Sequence, residues 1–167
     1  LRGSGADGDL VVTSTLVLDA DVVGGRSAPL AVSFGVLGIN GPVVRVDAAA
    51  LGLAPGDEVL VINLHGTAAQ NASVGRYAFS EVASVTGDQV TLVAPIPVVL
   101  GVGSNADLTG QAVVLQRVPQ LRDLSVGAGA RLTVSDWDGV TGGVLALRAS
   151  GLVTVSGTGR IHADAKG

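Results

Sequence analysis

The sequence predicts an all-β protein: a short β-solenoid (β-helix-like) stack carrying an inserted small β-barrel or sandwich. Three observations lead there. Val126-Gly-Ala-Gly-Ala-Arg131-Leu132 is echoed by Val155-Ser-Gly-Thr-Gly-Arg160-Ile161, and the matched positions Val126/Val155, Arg131/Arg160 and Leu132/Ile161 share one constant offset. Short apolar strands broken by glycine turns at a coil-sized spacing mark stacked rungs. The 167 residues are 47% hydrophobic but only 2% aromatic, so Val, Leu, Ile and Ala must form the core. Branched side chains favour the pleated surface of a strand. The 25 glycines are spread between the apolar runs, as many tight turns require.

The elements follow in chain order. Gly3 to Asp9 is a turn-rich lead-in. From Asp9 to Asp21 the chain alternates, with Leu10, Val12, Ser14, Leu16 and Leu18 on one face, which predicts one strand. Val43–Val46 predicts another, and Asp47 is expected to N-cap a helical turn, Ala48–Leu51. Pro55-Gly56-Asp57 turns into the strand Glu58–Asn63, and Tyr77–Val85 pairs with Gln89–Val93 around Thr86-Gly87-Asp88. Gln111–Arg117 ends this series, whose short strands suit a small barrel. Solenoid strands then resume at Leu121–Val126, Arg131–Val134, Val144–Arg148, Leu152–Val155 and Arg160–Ala163. The organisation expected is therefore residues 1–27 as the first solenoid strand or strands, 28–118 as the inserted barrel, and 119–167 as rungs continuing the stack.

Several blocks resemble a β-rich module near the N-terminus of large secreted and surface proteins of gliding, predatory soil bacteria. They are Gly5-Ala-Asp-Gly-Asp-Leu10, Pro55-Gly-Asp-Glu-Val-Leu-Val-Ile62, Tyr77-Ala-Phe-Ser-Glu-Val-Ala-Ser-Val-Thr-Gly87 and Ser135-Asp-Trp-Asp-Gly-Val-Thr-Gly-Gly-Val-Leu-Ala146. In that family the module leads into glycine-rich sequence. The resemblance implies an extracellular or cell-surface, non-catalytic module attached to something larger. The start at Leu1 rather than Met agrees with a processed or excised piece.

Composition narrows the function. With no cysteine there is no disulfide or thiol chemistry, and a net charge of −4 disfavours nucleic acid. The most apolar stretch, Val90–Val102, contains Pro95 and Pro97 and is too short to span a bilayer as a helix. It is expected to leave apolar surface exposed. A mean hydropathy of +0.55 likewise points to apolar surface covered by a partner.

The sharpest cluster is Asp136-Trp137-Asp138. It reads either as a turn with Trp137 against the core, or as a ligand site with Trp137 as a sugar platform. Joined to Asp7 and Asp9, its carboxylates could hold Ca²⁺; no other cofactor is expected. His65 and His162 stand alone, and no Gly-x-Ser-x-Gly elbow or phosphate loop occurs. Glu58, Glu81 and the aspartates could supply a carboxylate pair for glycoside cleavage. The favoured function is a structural or assembly module of a bacterial surface protein or filament, not an enzyme. Carbohydrate binding or adhesion is the alternative, and a fragment of a polysaccharide-cleaving enzyme is the third. The last rung, Arg160, Ile161, His162 and Ala163, is the expected assembly edge, taking either another copy or the continuation of the same protein. Circular dichroism is expected to give less than about a fifth helix.

Overall fold

The computed structural model describes residues 3–167 and contains thirteen strands and no helix among them. Two compact units emerge. One comprises the chain up to Val32, Val118–Asp138 and Gly142–Gly167; the other comprises Ser33–Arg117 with Gly139–Thr141.

The first unit is a parallel stack of three coils. The first coil holds β1 (Gly8–Val12) and β2 (Thr15–Val17). Residues Ser33–Arg117 of the second unit intervene in the chain. The second coil holds β9 (Gln120–Val126) and β10 (Arg131–Thr133). The third holds β11 (Arg148–Ala149), β12 (Val153–Val155) and β13 (Arg160–Ile161). The second coil lies between the other two: β1, β11 and β12 all pair with β9, and β2 and β13 both pair with β10.

Register explains the repeat seen in sequence. Val126 sits opposite Val155, Arg131 opposite Arg160 and Leu132 opposite Ile161. Their shared offset is that of Asp123 and Leu152, 29 positions apart, which hydrogen-bond between the same two coils. Leu10 sits opposite Leu124. With the inserted Ser33–Arg117 set aside, their separation reduces to the same offset. By the same measure Val17 and Thr133 lie two residues further apart, so the coil that the barrel interrupts keeps the period at Leu10 but is longer at β2.

The core follows from stacking. Leu10, Val12, Leu18, Leu121, Leu124, Val126, Leu132 and Val134 form one buried cluster. Leu30 and Ala31 join it, and Ala31 N–H donates to the Leu18 carbonyl. Residues 28–32, expected at the start of the barrel, therefore belong to the stack.

Two further expectations are corrected here. The single strand from Asp9 to Asp21 is two strands in different sheets, broken by a corner at Thr13-Ser14. Alternation persists through the corner because inward positions must still face the core, so periodicity alone could not reveal it. Val144–Arg148 is not a strand: pairing with β9 begins only at Arg148, opposite Gln120, although Leu145 and Leu147 pack on the core.

The second unit is a closed six-stranded antiparallel barrel. Its strands are β3 (Ser33–Asn40), β4 (Val43–Val46), β5 (Glu58–His65), β6 (Tyr77–Thr86), β7 (Gln89–Leu92) and β8 (Ala112–Arg117). They close in the order β3-β4-β7-β6-β5-β8, with register shifts in β3, β5 and β6 that help the sheet curve. Val44, Val59, Val61, Val90 and Leu115 are fully buried, and the buried Arg117 guanidinium pairs with Asp57 at 2.7 Å. Asn63 is also fully buried, and its amide donates to the Leu100 carbonyl (2.6 Å) and to Gln111 Oε1 (2.7 Å).

Strand β3 had no signal in the sequence, since Gly35 and Gly38 interrupt its alternation. At Gly35 a Cβ would lie 2.6 Å from Val140 Cγ1 and 2.8 Å from Asp47 Oδ2, so close approach requires the glycine. The expected helical turn at Asp47–Leu51 is absent. Asp47 N–H donates to the Gly35 carbonyl and Ala50 N–H to the Gly87 carbonyl, so the barrel uses these groups instead. Val90–Val102 is covered in part: Val90, Leu92, Ile96 and Leu100 are buried, while Val93, Ala94, Pro95 and Pro97 are exposed.

The stack makes a direct comparison possible. Leu124→Ala should destabilise the protein by about 2–5 kcal/mol, because a fully buried position leaves a cavity. Val153→Ala, at the same level one coil later, should cost less than about 1 kcal/mol. Urea unfolding of the two variants measures both.

Candidate functional site

The two ends of the stack differ. In the first coil Leu10, Val12 and Leu18 are buried although only one coil pairs with it. The segment Val23–Ala31 accounts for this, since Leu30, Ala31 and the partly buried Val23 pack into the same cluster. The third coil has no such cover among the described residues. Val153 and Val155 are 48% and 45% exposed, whereas their partners one coil below, Leu124 and Val126, are 1% and 0% exposed. Leu152 is exposed as well.

The backbone of this end is equally one-sided. Parallel pairing uses alternate residues. Leu152 C=O and Ser156 N–H bond to β9, and Arg160 and His162 N–H bond to the Ala130 and Leu132 carbonyls. The main chains of Val153, Val155 and Ile161 therefore face away from the stack. Of the four residues read as an edge, Ile161 presents its main chain outward, while Arg160 and His162 use their N–H groups inward. Ala163 lies just past β13 and is exposed.

The carboxylates expected to hold a metal are placed elsewhere, and among the described residues no group of three or more His, Cys, Asp or Glu could hold an ion. Asp7 pairs with Arg26 at 3.2 Å and its Oδ2 accepts the Gln120 N–H at 2.7 Å. Asp9 meets the Arg122 guanidinium through both oxygens, at 2.7 and 2.5 Å. Asp136 accepts from Lys166 Nζ at 2.7 Å, and Asp138 also has a partner. Each of these partners of Asp7, Asp9 and Asp136 lies in the same or the adjoining coil, so these groups stitch coils together. Only knowledge of the register, not residue inventory, could have shown this.

Trp137 is half-buried, and its backbone N–H donates to the Lys166 carbonyl at 2.7 Å, tying the second coil to the C-terminal residues. The exposed aromatic surface is instead on the barrel: Tyr77 and Phe79 on β6 are both exposed, edge to face, with ring centroids 5.8 Å apart. Glu81 follows on that strand, opposite Glu58 of β5.

Fold and surface together define a class: a β-solenoid segment with an inserted β-barrel, closed over at its first coil and open at its third. No protein family matches the sequence, and no curated protein matches it. Among solved structures the chain is similar to the gp54 tailspike of Acinetobacter baumannii bacteriophage AP22, solved in complex with A. baumannii capsular saccharide. That match has 14% identity, a TM-score of 0.38, and covers 78% of this chain and 22% of the tailspike. It is also similar to tailspike gp49 from Pseudomonas phage LKA1, with 14% identity, a TM-score of 0.35, and coverage of 78% of this chain and 22% of that one. A third is Pseudomonas phage phi297 tailspike gp61, with 16% identity, a TM-score of 0.36, and coverage of 97% and 26%. The chain spans about a quarter or less of their length. Likenesses this distant carry no argument about function.

Electrostatics at the first coil gives a pH dependence. The hydrogen bond from Arg122 holds the Asp9 carboxyl below its usual value of 3.8, with the charge of Arg122 adding to the effect. A lowered pKa stabilises the fold above the unfolded value and loses that contribution as pH falls through the folded one. Asp9→Asn should therefore lower the melting temperature slightly at pH 6. The difference should shrink below about pH 4 and vanish once Asp9 is protonated in both states. Calorimetry of the two proteins from neutral to strongly acidic pH measures it.

Proposed function

We propose that the chain is a non-catalytic structural module that begins a β-solenoid within a larger extracellular bacterial surface protein or filament. The observation that supports this reading is the asymmetry of the stack. One end is covered by the chain's own Val23–Ala31 segment, and the other exposes inward-facing valines and outward-facing main chain. A coil cannot bury its apolar face alone, so an open coil calls for a further one. The extracellular setting rests on the sequence resemblance to modules of large secreted and surface proteins.

The reading predicts that the stack accepts another coil. We take as probe a second copy of Gly139–Gly167, one coil period in length, fused after Gly167. Covering two half-exposed valines contributes about 2 kcal/mol. In a chain of this size that corresponds to a melting temperature higher by roughly 4–8 °C. Amide exchange at Val153 and Val155 should slow in the fusion. An unchanged melting temperature with unchanged exchange would refute the reading.

A second reading, carbohydrate adhesion, is favoured by the exposed pair Tyr77 and Phe79. Two of the four aromatic residues lie together on solvent in a chain whose core is aliphatic. Stacking on sugar rings uses such faces. A glycan array probed with the protein and with Tyr77→Ala should then show binding that the substitution reduces at least several-fold. A turnover assay on mixed polysaccharides separates both readings from a fragment of a cleaving enzyme.

A further inference from the structure

Three aspartates act alike in the stack. Asp7 Oδ2 accepts the backbone N–H of Gln120 at 2.7 Å, Asp19 Oδ1 accepts that of Ser135 at 2.8 Å, and Asp123 Oδ1 accepts that of Leu152 at 2.6 Å. Register shows what they share. Gly8 is opposite Leu121 and Leu124 is opposite Val153, so Asp7 is level with Gln120 and Asp123 is level with Leu152. Thr133 is opposite Val17, and continuing both coils equally brings Asp19 level with Ser135. In each case the carboxylate of one coil accepts the N–H of the residue stacked on it in the following coil. Two of these clamps join the first coil to the second, and one joins the second to the third. Gln120 accepts a bond the other way, from Ser4 N–H to its Oε1 at 3.1 Å.

The same column continues into the open coil. Ile161 is opposite Leu132, and at that offset Asp164 comes level with Ser135, in the column begun by Asp19. The other two columns place Arg148 and Leu152 in the third coil, which are not carboxylates. Asp164 is thus the aspartate that the third coil retains at a clamp level. Its side chain is 80% exposed, and Oδ2 lies 3.4 Å from His162 Nδ1.

Resting on the structural reading above, we infer that the open face of the third coil is a docking surface for one further parallel coil. That coil keeps the period of the stack, and Asp164 clamps it by accepting the N–H of the residue stacked on it. The occupant follows from continuity with the existing interface between the second and third coils. Val153 and Val155 supply the apolar part, Val153, Val155 and Ile161 supply main-chain groups, and Asp164 sets the register. A charge-assisted bond of this kind is about twice as strong as a neutral one and tolerates little displacement. A slip by one residue would also turn the inward side chains of the added coil outward.

The experiment uses the full chain and the same fusion, each with Asp164, Asp164→Ala and Asp164→Asn. In the unextended chain the substitutions should leave the melting temperature unchanged, because the group is exposed. In the fusion, Asp164→Ala should remove at least half of the gain and speed exchange of the amide stacked on residue 164. Asp164→Asn keeps a carbonyl acceptor without the charge and should give a gain between those of Asp164 and Asp164→Ala. A fusion stabilised equally with Asp164→Ala overturns the clamp and leaves the structural reading standing. A fusion not stabilised at all overturns the structural reading itself. If the unextended chain instead dimerises and Asp164→Ala abolishes the dimer, the occupant is a second copy, and the choice of a continuing coil is wrong.

Discussion

Each coil of the stack depends on a neighbour to bury its inward face, and this single constraint organises the first unit. The inward residues of β9 and β10 are covered because coils lie on both sides. Those of β1 and β2 are covered by one coil and by Leu30 and Ala31. Those of β12 are covered on one side, and about half of their surface remains in water. Burial thus falls with position in the stack rather than with residue type, since Val153 and Val155 are no less apolar than Val126. The exposure of the third coil follows from its having a paired coil on one side only.

Polar groups obey the same geometry. Main-chain N–H and C=O groups at coil corners cannot all be met by neighbouring strands, and a buried unpaired group is costly. Asp7, Asp19 and Asp123 meet three such N–H groups, in each case from the coil that precedes the donor. A mismatch of one residue would break these bonds, so the clamps fix register as well as contribute stability. Asp9 with Arg122 and Asp136 with Lys166 add charge pairs between adjoining coils. These pairs sit at the surface, where each is worth little in energy. Carboxylates that look like a metal set in sequence are therefore distributed along the stack, one task at a time.

The barrel solves a different problem. By closing its sheet it leaves no free edge, so its strands need no partner beyond the six. Its insertion between the first two coils leaves the period unchanged at Leu10 and Leu124 and lengthens it by two residues at Val17 and Thr133, so the chain leaves and returns at adjacent levels of the stack. The exposed Tyr77 and Phe79 are on this unit and owe nothing to coil stacking.

The sequence by itself determined the all-β class, the coil period and the inward face of the first strands. All three rest on local pattern: Val126/Val155, Arg131/Arg160 and Leu132/Ile161 keep their spacing because stacking demands it. The hairpin of β6 and β7 was legible for the same reason, through the turn at Gly87. The tertiary structure alone decided the corner at Thr13-Ser14, strand β3, the loss of a helix at Asp47–Leu51 and the partners of the stack's aspartates. A corner keeps the inward alternation, Gly35 answers to Asp47 and to Val140 far along the chain, and Ala50 N–H turns to Gly87. The candidate site was legible only as an edge: its location near Arg160–Ala163 could be read, but not that the main chain of Ile161 is directed away from the stack while the N–H of His162 is already bonded. Which side of a strand is free depends on which neighbour arrives first, and that is a matter of register between coils rather than of any residue's own preference.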